Sequence, residues 1–194
     1  MRIGVISDNH SRTADGGDLP ATVLEAFSGA DLIVHCGDAG SWGTLDRLEA
    51  VAPVVGVLAK NGQNGTGEDK RIEGDRRIIK ADGLRVGIVH DLVTQGVTAE
   101  SHPRMVPVQG ELGAAVRALF GEDIDVLLYG GTHTASISYV PGMLMVNPGS
   151  PTLPADRSPD ARGTVAVVDI DGGIARPKIV DVGGSLRSTG NRPM

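Results

Sequence analysis

The residues of this chain that could do chemistry fall at the ends of short apolar runs. Ile3-Gly4-Val5-Ile6 leads into Ser7-Asp8-Asn9-His10, an acid and an imidazole two residues apart. A carboxylate and an imidazole leaving one strand end can bind the same cation. The arrangement recurs. Leu32-Ile33-Val34 leads into His35-Cys36-Gly37-Asp38, and Val54 to Leu58 into Lys60-Asn61-Gly62. Leu84 to Val89 leads into His90-Asp91, and Ile124 to Tyr129 into Gly130-Gly131-Thr132-His133. Asp8, His10, Asp38, Asn61, His90 and His133 are thus the candidate metal ligands. All offer oxygen or imidazole and none a thiolate, a set that suits Mn, Fe, Ni or Zn better than a soft metal. Plainer readings exist for single members. Asn61 also reads as a left-handed turn residue, and His90 as a strand-end histidine. His35 reads as a core histidine or one that orients a ligand, and Cys36 as a small buried residue.

Strands must carry these residues. The apolar runs are short and rich in β-branched side chains. Helical spacing appears over Ala21 to Phe27, Thr44 to Ala50 and Glu111 to Phe120. Ala81-Asp82-Gly83, Pro141-Gly142 and Asp171-Gly172-Gly173 are turns between paired runs. Their partners are Arg76 to Lys80 with Leu84 to Val89, Ala135 to Tyr139 with Met143 to Val146, and Thr164 to Ile170 with Ile174 to Val182. Strands alternating with helices early, and hairpins later, predict two sheets packed face to face with helices outside. Ligand sites in α/β sheets form beyond the carboxyl ends of strands, so residues distant in sequence can converge there. One domain is expected over 1–182, with a polar tail over 183–194. Leu92 to Gly110 shows no period and contains two prolines. It reads as a surface excursion or as a lid bearing His102 and Arg104.

A chain of 194 residues with 40% hydrophobic content suits one domain with a real core. The net charge of −6 argues against a general nucleic-acid or anionic-membrane binder, and an anionic substrate would need a local cation. The single cysteine, Cys36, excludes an internal disulfide framework. Met1-Arg2-Ile3 runs straight into a strand, so no signal peptide is expected, and no apolar run approaches a membrane span. A cytoplasmic protein is the expectation, with a homo-oligomer left open.

Ser-Asp-Asn-His at 7–10, Cys-Gly-Asp at 36–38, Lys-Asn at 60–61, Val-His at 89–90, Gly-Gly-Thr-His at 130–133 and Asn-Pro-Gly-Ser at 147–150 resemble the calcineurin-like metallophosphoesterases. Order and spacing are most similar to the small bacterial and archaeal phosphodiesterase branch, to which vacuolar sorting protein 29 is related. The resemblance implies an α/β fold, a four-layer αββα sandwich of two mixed β-sheets, with a two-metal centre. One metal would be held by Asp8, His10, Asp38 and His133, the second by Asp38 as a shared bridge with Asn61 and His90. Asp38 and Asn61 would be the catalytic pair, and Mn the favoured metal. The implied activity is hydrolysis of a small phosphate ester, a diester rather than a monoester, by in-line attack of a metal-bound hydroxide. Asn9 and Arg104 are the candidate substrate contacts, Arg104 by pairing with a phosphate oxygen. Departures from the family pattern are Gly131, where a histidine would ligate the second metal, Lys60, where glycine is usual, Gly62, where stronger relatives place a histidine, Gln63, where an acid is common, and Asp91, where glycine is usual. They imply a depleted second site. The alternative is a catalytically weakened module of this fold that binds other proteins.

Overall fold

β1 (Arg2–Ile6) occupies the middle of a five-stranded sheet, and its sequence explains why. Alternate strand residues face opposite ways, so a strand buried on both faces must be apolar throughout. Ile3 and Val5 enter the core between two sheets, while Ile6 enters the core beneath two helices. A Cβ on Gly4 would lie 2.6 Å from the ring of Phe27, so that ring rests directly on the β1 backbone.

The computed structural model describes residues 1–59, 68–93, 95–97, 109–158 and 160–184. Lys60, Asn61 and Gly62, together with His102 and Arg104, lie outside the described residues, as does 185–194. After β1 come α1 (Ala21–Ala26), β2 (Leu32–His35), α2 (Trp42–Glu49) and β3 (Val54–Gly56). β4 (Arg76–Ala81) and β5 (Leu84–Val89) precede α3 (Gln109–Phe120), β6 (Val126–Leu128), β7 (Ala135–Val140), β8 (Met143–Pro148), β9 (Arg162–Asp171) and β10 (Ile174–Gly184). One sheet has the order β10-β9-β1-β2-β3 and the other β4-β5-β6-β8-β7. In the first, β1, β2 and β3 run parallel and β9 pairs antiparallel with β1 and β10. In the second, β5, β6 and β8 run parallel, with β4 and β7 antiparallel at the edges. Both sheets are therefore mixed.

Three apolar layers join the elements. Ile3, Val5 and Val34 meet Val86, Ile88, Leu128 and Val146 between the sheets. Val23, Phe27, Leu45 and Leu48 cover the outer face of the first sheet, and Leu112 and Val116 cover that of the second. This is the four-layer sandwich implied by the sequence motifs. Several boundaries shift by a residue or more, and some of the shifts lengthen strands. Asn147 and Pro148 belong to β8, paired with Ser136 and Ala135, two residues past the expected strand end at Val146. β10 continues past a bulge to pair Gly183 with Gly163 and Gly184 with Arg162.

Phe27 is fully buried on the backbone of the strand that leads to Asp8. Phe27→Ala should lower unfolding free energy by about 3–5 kcal/mol, read as a shift of the urea midpoint. A loss under about 1 kcal/mol, small for an emptied core site, would show that the ring does not support β1.

Candidate metal centre

Four parallel strands, two from each sheet, end at one edge of the sandwich. β1 delivers Asp8 and His10, β2 delivers Asp38, β5 delivers His90, and the turn after β6 delivers His133. The ligand atoms of Asp8, His10 and His133 lie within 4.8 Å of one another, and so do those of Asp8, Asp38 and His90. Asp8 is common to both groups. Its Oδ1 is 3.4 Å from His133 Nε2 and 3.9 Å from His90 Nε2. Asp38 Oδ2 is 3.3 Å from His90 Nε2 and 3.7 Å from His10 Nε2. Each carboxylate thus faces imidazoles on both sides of the cluster.

The backbone is bent to achieve this. Asp8, His10, Asp38 and His133 all have positive φ, between 44° and 57°. Among the described residues only Asp82, in a hairpin turn, joins them as a non-glycine in that region. A left-handed conformation costs an L-residue about 1–2 kcal/mol. Hydrogen bonds hold the bends in place. Asp8, His10 and Ser11 donate backbone N–H to the carbonyls of Gly37, Asp38 and Ala39, extending the β1–β2 pairing past the strand ends. Ser150 Oγ donates to the Asp8 carbonyl at 2.7 Å, and Thr152 Oγ1 to that of Asn9 at 2.6 Å. Asn147 Nδ2 reaches Gly130 O and Thr132 Oγ1. The Asn147-to-Ser150 motif therefore clamps two ligand loops together. No such role was assigned from sequence, although a polar quartet after a wholly apolar run was the available signal.

The imidazoles present lone pairs. His133 Nδ1 lies 2.6 Å from Leu153 O, and His90 Nδ1 lies 2.8 Å from Cys36 O. A carbonyl only accepts, so Nδ1 carries the proton in each ring and Nε2 is left for the cluster. His10 Nε2 and His133 Nε2 stand 3.3 Å apart, with the rings stacked. Two lone pairs face each other there unless a cation or a proton lies between them.

The carboxylates are equally incomplete. Asp8 is fully buried, and its Oδ2 accepts from the Gly131 N–H at 2.9 Å. Its Oδ1, among the described residues, is the buried side-chain atom with no hydrogen-bond partner. Burial raises the Asp8 pKa, against the opposing charges of His90 and His133. Burial also pushes Asp38 upward, but the hydrogen bond and charge of His90, then His10, outweigh it and hold that carboxyl below its usual range. Burial lowers His90, yet its bond to Asp38 and the charges of Asp8 and Asp38 raise it overall. The charges of Asp38 and Asp8 thus favour the protonated form of His90. An orphaned buried oxygen, converging Nε2 atoms and a set of hard and borderline donors fit a divalent cation.

Asn9 is turned into the fold and is 1% exposed. Its Nδ2 donates to Ala39 O at 2.7 Å and Thr44 Oγ1 at 3.3 Å. Its Oδ1 is 2.7 Å from His35 Nε2, while His35 Nδ1 accepts from Gly37 N–H. His35 is neutral, its pKa lowered to about 3 by burial and then by the charge of His90. This pair fastens the loop after β1 to the loop after β2. The expected substrate contact at Asn9 is thus not a side chain presented to solvent. Cys36 is buried with its thiol pKa pushed up by burial, so it is no nucleophile.

Gly131 has a φ of 79°, and a Cβ there would lie 3.0 Å from the Cβ of Asp91. Two of the departures from the family pattern, Gly131 and Asp91, are therefore neighbours. Introducing a histidine at 131 would strain the backbone and press on Asp91, so it is not a simple route to another ligand.

Asp8→Asn separates the cost of this centre from its purpose. The metal-free variant should be as stable as wild type or more so, because a neutral amide avoids the desolvation cost of a buried carboxylate with an oxygen that accepts no hydrogen bond. Mn should raise the melting temperature of wild type, since an ion at a hundredfold excess over Kd stabilises by about 2.7 kcal/mol, and should leave Asp8→Asn unchanged. A wild-type-sized rise in the variant would remove Asp8 from the ligand set.

The chain was compared with known proteins. The sequence model of the calcineurin-like phosphoesterase superfamily domain matches residues 1–173. A relative described as a probable metallophosphoesterase, from Methanothermobacter thermautotrophicus, is 35% identical over 185 residues, 94% of each chain. Among solved structures, a novel archaeal phosphodiesterase superposes with a TM-score of 0.59 at 20% identity, covering 93% of this chain and 100% of its own. Vps29 of Entamoeba histolytica, complexed with zinc, gives 0.61 at 19% identity, covering 94% and 100%. The two structures share the fold, and the family match and the 35% identical relative settle the kinship: this chain belongs to the calcineurin-like phosphoesterase family.

Proposed function

We propose that this member of the family is a metal-dependent phosphodiesterase. The observation that carries the reading is the buried Asp8 carboxylate, whose orphaned oxygen faces the Nε2 atoms of His90 and His133. Asp8, His10 and His133 would hold one divalent cation, and Asp8, Asp38 and His90 a second. When bound, such ions act as Lewis acids toward phosphoryl oxygens and lower the pKa of water. The chain's own residues do the rest. Asp38, ionised at neutral pH and facing both His10 and His90, supplies charge shared across the cluster. Asn61, by its motif, is the further candidate for this set. Leu153 O and Cys36 O fix the tautomers of His133 and His90. The Asn9–His35 pair keeps the Asp38 loop in register with the His10 loop.

A diester bears one negative charge and a monoester close to two near neutral pH. Two carboxylates at the centre, with glycine at 131 in place of an imidazole, favour the less charged substrate. Mn is the proposed metal, on donor hardness. Among the described residues no helix is long and apolar enough to cross a membrane. The free buried Cys36 suits a reducing compartment, so we place the protein in the cytoplasm.

The second reading, a protein-binding module, has its own observation. β7, an edge strand, exposes Ile137 and Tyr139, the latter by 67%. Two side chains make a smaller patch than the several hundred Å² that mark an interface, so the enzyme reading is preferred.

With Mn, the protein should hydrolyse bis-p-nitrophenyl phosphate faster than p-nitrophenyl phosphate, and Asp38→Asn should lose at least about a hundredfold in kcat/KM, roughly 2.7 kcal/mol of barrier. No turnover of either ester with Mn, Fe, Ni or Zn would leave the binding-module reading standing instead.

A further inference from the structure

A cleft opens where the chain continues past His10 and past Asp38. Beyond His10 the chain supplies Ser11, Arg12 and Thr13, and beyond Asp38 it supplies Gly40, Ser41 and Trp42. These stretches line a cavity of about 370 Å³, within the range of roughly 300–1,000 Å³ typical of small-molecule sites. None of these residues belongs to the ligand set.

The walls are fixed. Ser11 N–H donates to Ala39 O at 3.0 Å, tying one wall to the other. Asp18 accepts from Ser11 Oγ at 2.5 Å and from the Arg12 N–H at 2.8 Å, so the loop backbone is braced from behind. Trp42, the chain's single tryptophan, opens α2 and packs partly against the core beneath the helices. It is half-buried, which suits a ring presented on a rigid base.

Arg12 differs from seven of the eleven arginines among the described residues. Arg2, Arg71, Arg76, Arg77, Arg85, Arg117 and Arg162 each pair with an acid. Arg12 is exposed and forms no ion pair among the described residues. Its Cα is two residues from that of His10, a span of at most about 7 Å, so an extended guanidinium can reach a phosphate at the centre. On a chain of net charge −6, this cation supplies the local attraction an anionic substrate requires.

We propose that this cleft is a subsite for the organic half of a phosphate ester that carries an aromatic ring, the nucleoside phosphate class. The ring packs on Trp42, and Arg12 pairs with a phosphate oxygen. Stacking on an aromatic side chain raises affinity by about tenfold or more. The inference rests on the phosphoesterase reading and adds a substrate class to it.

The test is binding to the full chain with zinc present, using adenosine 5′-monophosphate, ribose 5-phosphate and inorganic phosphate as probes. Emission of the single tryptophan should change saturably with the nucleotide and not with the other two. Calorimetry should give the nucleotide about a tenfold tighter Kd than ribose 5-phosphate, on the stacking scale just given. Trp42→Leu should erase that preference, Trp42→Phe should keep most of it, and Arg12→Gln should weaken both sugar phosphates by a similar factor. Far-UV circular dichroism establishes that each variant is folded, and the phenylalanine variant keeps the test valid if leucine unfolds the helix. Equal affinity for the two sugar phosphates in wild type, or an undiminished preference in folded Trp42→Leu, overturns the subsite. Hydrolysis of bis-p-nitrophenyl phosphate is scored separately. Turnover without nucleotide preference removes the subsite alone, and preference without turnover removes the phosphoesterase reading alone.

Discussion

A fully buried carboxylate with one unsatisfied oxygen is the constraint around which this molecule is built. Asp8 sits where the two sheets end together, with only its Oδ2 hydrogen-bonded, to the backbone of Gly131. A buried charge without full compensation costs several kcal/mol. In a protein whose net stability is of order 5–15 kcal/mol, such a cost persists only where the surroundings enforce it. His90 and His133 approach the orphaned oxygen from the second sheet, so their attraction offsets part of that burial cost and registers one sheet against the other.

Enforcement comes from two directions. From below, the central strand is locked by apolar layers on both faces, with Phe27 seated on Gly4 and Val86 and Ile88 opposite Ile3 and Val5. From above, side chains outside the ligand set bond to backbone carbonyls of the ligand loops. Ser150 and Thr152 hold the loop after β1, Asn147 holds the loop after β6, and Asn9 joins the loops after β1 and β2. Left-handed conformations at Asp8, His10, Asp38 and His133 then become tolerable, and four side chains from distant parts of the chain aim at one point. The proposed chemistry follows from this pre-organisation, because the donors need no rearrangement to meet a cation.

Much of this was legible in the sequence. The apolar runs located the strands, and their terminal acids and histidines named five residues that the structure gathers at one edge, Asp8, His10, Asp38, His90 and His133, because strand burial is a local property. The hairpin turns at Asp82-Gly83 and Gly172-Gly173 were visible for the same reason. What escaped was set by tertiary contact. Asn9 lies between two candidate ligands and reads as a substrate contact, yet its amide is consumed by His35, Ala39 and Thr44, residues that are near only after folding. The apolar run ends at Val146, but pairing with β7 draws Asn147 and Pro148 into β8. Asp8, and not the expected Asp38, is common to both groups, a distinction that side-chain direction decides and spacing does not.

Anomalous scattering from crystals grown with Mn locates the ions without reference to activity. The account predicts manganese within bonding distance of Asp8 Oδ1, about 2.0–2.2 Å by analogy with other first-row metal–carboxylate bonds, with Nε2 of His10 and His133 around one peak and Asp38 and His90 Nε2 around another. Peaks absent from this edge of the sandwich, or ions bound with Asp8 Oδ1 still unligated, would contradict it.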